Sequence, residues 1–129
     1  VGINTNELVT GLKAKQNIEA ITTPTGATST VNISSPTIAE TSVLTLHGAT
    51  PVLNMPDPTA VLPGTIKRLR LVQDGTGSRV ASWSSAAGAI QWTGKAAPTL
   101  TTAAGSIDQV VFQSDGVNWI EQSRNLNIG

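Results

Sequence analysis

Two β-rich runs, Ile107-Asp-Gln-Val-Val-Phe-Gln113 and Val117-Asn-Trp-Ile-Glu-Gln122, meet at Ser114-Asp115-Gly116, and this junction constrains the fold more than any other stretch. Asp-Gly between such runs signals a hairpin, because a two-residue type I′ turn needs positive φ at both centres. With Asp115 and Gly116 as those centres, Phe112 lies opposite Trp119, Val111 opposite Ile120 and Val110 opposite Glu121. Val110, Phe112, Val117 and Trp119 then share one face, which reads as core. Ile107, Val111 and Ile120 share the other with Gln109, Asn118 and Gln122. That semi-apolar face is covered either by the chain's own loops or by another subunit.

The rest of the chain follows the same pattern. Residues 65–73 lead through Asp74-Gly75-Thr76-Gly77 into 78–83, which reads as a second hairpin of unfixed register. Residues 29–34 and 41–47 alternate as strands, and 52–55 and 90–92 are shorter candidates. Pro51, Pro56, Pro58 and Pro63 confine their neighbours to loops and edges. No internal repeat of solenoid length is visible. The expected fold is all-β: an antiparallel β-sandwich or jelly-roll-like domain over residues 28–129. Residues 1–27 form an N-terminal arm. In it Asn4-x-x-Glu7 has the form of a capping box, and Leu8, Val9 and Leu12 follow at helical spacing, as in a short helix around residues 5–20 that Gly11 weakens. The arm is either a frayed tail or a segment that docks on a neighbouring subunit.

At 129 residues the chain is long enough for one domain to bury about two-thirds of its unfolded surface. It has no cysteine, hence neither disulfides nor thiolate metal sites. Eight basic residues balance eight acidic ones and only 12% of residues are charged, a weak colloidal defence that suits a chain held in an assembly. No apolar run has membrane-spanning length, and no membrane partner is expected. Val1 is a residue after which an initiating methionine is commonly removed, so the chain is expected to be a complete gene product.

Catalysis is hard to build from these side chains. His47 is the only histidine, and no local pattern gives it a nucleophile or an orienting acid. Asp74 and Asp115 are turn formers, and nothing favours Asp108 with Glu121 as a glycosidase pair. No enzyme activity, cofactor or metal is expected. Residues 65–95 carry Lys67, Arg68, Arg70, Arg79 and Lys95 against Asp74 alone, and alternation brings Arg68 and Arg70 to one strand face. Nucleic acid is not the expected partner, since aromatic residues do not interleave with the basic ones. Trp83 and Trp92 are read either as core or as a sugar platform.

The run LRLVQDGTGSRVASW, followed by AIQWTGKAAPTLTTAAGSIDQVVFQSDGVNWIEQ, resembles a module of tailed-phage virion proteins. The elements that carry the likeness are residues 73–77, Trp83, Trp92 with Gly94, Ala97-Pro-Thr-Leu100, Thr102 with Ala104-Gly105, Asp108, and Asp115-Gly116 before Trp119. They cover about half the chain. Such modules occur in tail fibres, head fibres and capsid-associated proteins, so the resemblance implies a β-sandwich, often trimeric, with no enzyme. It treats the Asp-Gly and Gly positions as fold formers. The expectation that follows is a capsid decoration (cement) protein that binds the outer shell as a homotrimer, with the major capsid protein as partner. Leu8, Val9, Leu12, Ile18, Val111 and Ile120 are its expected interface residues. The alternative is a tail-fibre or receptor-binding module in which Arg68, Arg70, Trp83 and Trp92 meet a host surface glycan or an acidic partner.

Overall fold

The computed structural model describes residues 18–26 and 28–129, and among these the regular elements are strands and two short 3-10 turns. β1 (Ile18–Thr22), β3 (Thr41–Leu46) and β5 (Ile66–Gln73) stack in parallel. So do β2 (Thr30–Asn32), β4 (Val52–Met55) and β6 (Ser82–Ser85). The chain thus visits two sheets in turn and lays each circuit on the one before, in the manner of a short β-solenoid. After the third circuit the direction reverses. β8 (Ile107–Ser114) runs antiparallel to β5, β9 (Trp119–Asn125) antiparallel to β8, and β7 (Ile90–Gln91) parallel to β9. The result is a six-stranded sheet in the order β1-β3-β5-β8-β9-β7 facing a three-stranded sheet β2-β4-β6.

The fold is therefore all-β as expected, but its sheets are mixed and largely parallel where an antiparallel sandwich or jelly roll was expected. The expected hairpin of residues 65–83 is absent: β5 and β6 lie in different sheets. Asp74 makes a corner between them, its Oδ1 accepting from the N–H of Thr76 (3.1 Å) and of Gly77 (3.0 Å). The amide of Gln73 then acts as a substitute strand for Arg79, donating Nε2–H to its carbonyl (2.8 Å) and accepting its N–H (2.9 Å). The solenoid repeat is irregular in length. Partners in register step by 23 and then 27 residues from Ile18 to Thr41 to Arg68, and by 22 and then 30 from Thr30 to Val52 to Ser82.

The final hairpin forms, with a different register. Its loop has four residues, because the Asp115 Oδ1 accepts from the N–H of Val117 (2.9 Å) and of Asn118 (2.7 Å) and closes a wider turn. Ser114 then pairs with Trp119 and Phe112 with Glu121, with a bulge between Val111 and Phe112. The displacement near the turn is an even number of residues, so side chains keep their faces. Val110, Phe112 and Trp119 are fully buried as expected, whereas Val117 moves to the loop and is 59% exposed.

The core lies between the sheets and is built from rows contributed by successive circuits: Ile21, Leu44 and Leu71 on one side, Val31, Leu53 and Trp83 on the other. Trp83, Trp92 and Phe112 close it as an edge-to-face trio with ring centroids 5.0–5.9 Å apart. β1 lies within the stretch assigned to the arm, and residues 18–20 of the expected helix are strand. The remainder of that helix, with Leu8, Val9 and Leu12, lies outside the described residues.

Candidate interaction surface

Strand alternation sends the second set of side chains of the large sheet outward, away from the small sheet. Pairing aligns them in rows: Ile18, Thr41, Arg68, Val111 and Ser123; Ala20, Val43, Arg70, Gln109 and Asn125; Thr22, Thr45, Val72 and Ile107; Ile66, Gln113 and Ile120. Three of the expected interface residues, Ile18, Val111 and Ile120, thus share one face although they are distant in sequence. Ile18 is 70% exposed on the edge strand. Arg68 and Arg70 share that face too, as alternation implied.

The two arginines differ in partnership. Arg68 is ion-paired with Glu40. Arg70 meets no carboxylate among the described residues. A groove of about 350 Å³ lined by Pro36, Thr37, Glu40, Thr65 and Ile66 borders the face at Ile66. The expected partners of Arg68 and Arg70 under the glycan alternative, Trp83 and Trp92, lie elsewhere: both pack toward Phe112 at the closed side of the core. The four residues therefore do not form one site.

The other basic residues of 65–95 disperse. Lys67 is fully buried on the inward face of β5 and donates to the Ala39 carbonyl at 2.6 Å. Burial pushes its ammonium down to about 8, and the nearby Glu19 carboxylate pulls the other way. Burial works to raise the Glu19 carboxyl, but hydrogen bonds from Ser34 and Ser42 and the charge of Lys67 outweigh it and leave the group below the usual range. Arg79 is held by both Asp74 oxygens, and His47 Nδ1 lies 2.9 Å from Asp74 Oδ2. The Arg79 hydrogen bonds, with the Gly77 and Thr76 amides, hold the Asp74 carboxyl far below its ordinary value.

The residues that carry the virion-module likeness turn out to touch one another. The N–H of Ser78 donates to Thr102 O (2.7 Å) and that of Gly105 to Asp74 O (3.2 Å), so the DGTG corner and the TTAAG loop interlock. Asp108 is buried and accepts from Thr101 N (2.6 Å), Thr101 Oγ1 (2.8 Å) and Asn127 N (2.7 Å). Glu121, also buried, accepts from Thr93 N (3.0 Å) and pairs with Arg124. Both carboxylates thus brace loops. Among the described residues no three His, Cys, Asp or Glu side chains gather as a metal site, and no helix is long and apolar enough to cross a membrane.

Val43, Ile66 and Val72 belong to the outer face and were not singled out by sequence. The signal was present: each alternates with a core residue, but the face they share emerges only once the strands are known to be neighbours. No family model, curated protein or solved structure matches this chain.

Proposed function

We propose that this chain is a non-enzymatic capsid decoration protein of a tailed phage, assembling as a homotrimer on the outer shell and stabilising it by burying interface. The observation that carries the proposal is the outer face of the six-stranded sheet, where Ile18, Val43, Val72, Ile107, Val111 and Ile120 stand among amides and two arginines. Such a face is sparing in charge and broad enough to adhere without a concave pocket. An interface of standard size, ~1,600 Å² per contact, repeated over a symmetric shell gains strength through avidity even where each contact is weak. Arg70 calls for an acidic group from whatever covers it, since a buried unpaired cation is costly. Residues 1–17, with Leu8, Val9 and Leu12, lead into the edge strand β1 and would reach the major capsid protein or a neighbouring subunit. The likeness of residues 73–119 to virion modules supports a place in the virion and does not choose between shell and fibre.

Copy number in purified particles is the test: hundreds of copies fit a shell coat, and a few to a few tens fit a fibre. Deleting residues 1–17 should leave a folded protein that no longer binds shells, and undiminished binding would remove the arm from the account. A tail-fibre or receptor-binding module is the second reading, favoured by the groove beside Trp92 described next.

A further inference from the structure

At the edge of the large sheet farthest from β1, a groove of about 380 Å³ is lined by Ile90, Gln91, Trp92 and Lys95. Trp92 is partly buried, fixed edge-on against Trp83 and Phe112, so that its position is set by the core while part of the indole remains open. Lys95 is exposed, and its ammonium meets no carboxylate among the described residues. Its backbone has φ +62°, directly after Gly94 at φ +67°. A lysine rarely adopts this left-handed conformation, and a residue held there needs support from its surroundings.

The support is visible. The buried Glu121 carboxylate accepts from Thr93 N at 3.0 Å and pairs with Arg124, whose guanidinium in turn donates to Thr93 O (3.3 Å) and Ala96 O (2.8 Å). Lys95 N closes the turn on Trp92 O at 2.9 Å. A half-buried ion pair and a strained turn are thus used to hold one exposed loop that adds no side chain to the core.

From this geometry we infer that the groove binds a carboxylated saccharide. Trp92 and Ile90 offer an apolar wall to the C–H face of a pyranose ring, the Gln91 amide can both donate to and accept from its hydroxyls, and the Lys95 ammonium meets its carboxylate. A purely apolar ligand would leave Gln91 and Lys95 idle, and an inorganic anion would not use the indole. The groove lies about five strand spacings, roughly 24 Å, from β1 along the stacking direction. A molecule held through β1 and the chain before it therefore presents this end outward. The inference rests on the receptor-binding reading and names its ligand class.

The test is a titration of ¹⁵N-labelled full-length protein with 3′-sialyllactose and with trigalacturonate, using lactose and a hexaglutamate peptide as controls. The acidic sugars should shift the Trp92 indole N–H and the Lys95 amide, and lactose should bind more weakly. Lys95→Gly relieves the backbone and removes the charge, so it should melt no lower than wild type yet bind the acidic sugars about tenfold more weakly. Gln91→Ala should weaken both acidic sugars and lactose. If the acidic sugars bind but Lys95→Gly changes nothing, the groove assignment is wrong and the receptor-binding reading survives. If no saccharide binds, or the peptide alone does, both are overturned.

Discussion

The indole N–H of Trp119 donates to the carbonyl of Pro56 at 2.7 Å, joining residues 63 positions apart. Trp119 is fully buried, so this bond ties the last hairpin to the loop that follows β4 and leaves neither group unsatisfied. Trp119→Ala should cost ~3–5 kcal/mol in urea unfolding. Trp119→Phe keeps most of the packing but strands the carbonyl, and should cost about 1–3 kcal/mol for that loss. A near-silent alanine variant would mean that the hairpin does not close this core.

Gly77 and Gly75 occupy one corner and should respond unequally to alanine. At Gly77 φ is +72°, and an added Cβ would lie 2.7 Å from both Ala104 N and Thr102 O, where the two motif loops interlock. Gly77→Ala should therefore lose at least ~2 kcal/mol, from backbone strain and separation of the loops. Gly75 has nothing within 4 Å of such a Cβ, and Gly75→Ala should be close to neutral. Equal effects at the two positions would show that the loops are not in contact.

Lys67 makes a pH signature. Its native value is about 8 against an ordinary 10.5, so between these the unfolded chain holds a proton that the folded chain does not. Stability must then rise with pH across that window, relative to a variant without the group. Wild type should gain on the order of 3 kcal/mol on Lys67→Met between those limits, read from paired denaturant curves. A flat difference would place the ammonium in water.

Asp74 gives a slope of the same sign, at the acid end of the range. Its carboxyl lies well below 3.8 in the folded chain, chiefly through the Arg79 hydrogen bonds, so its contribution is complete above that value and is lost as pH falls toward the folded one. Asp74→Asn should lower the melting temperature at neutral pH and flatten the acid limb below about pH 4. A variant with an unchanged acid limb would exclude Asp74 from acid unfolding.

Much of the local structure was legible. Leu44 and Leu46 alternate with Val43 and Thr45, and Leu69 and Leu71 with Arg68 and Arg70, and these patterns report faces correctly. Lys67 stands in register with the leucines of β5 and is buried with them, although its charge reads as that of a solvated strand face. Neighbourhood is another matter. Parallel partners 23 and 27 residues apart leave no local mark, whereas Asp74-Gly75 resembles a hairpin turn although its side chain builds a corner. The outer face could thus be guessed residue by residue, through Ile18, Val111 and Ile120, but not assembled. The groove at Lys95 was hidden because positive φ at a lysine and the reach of Arg124 to Thr93 and Ala96 depend on tertiary contacts.

The central claim is that the outer face of the six-stranded sheet joins copies of this chain. Sedimentation equilibrium of wild type beside Val111→Lys tests it most directly, since Val111 stands outward in the row with Arg68 and its replacement leaves the core intact. The account predicts a mass of three chains for wild type and one chain, still folded by its tryptophan fluorescence, for the variant. A wild-type monomer at concentrations well above those of assembly, or a trimer indifferent to the lysine, would contradict it.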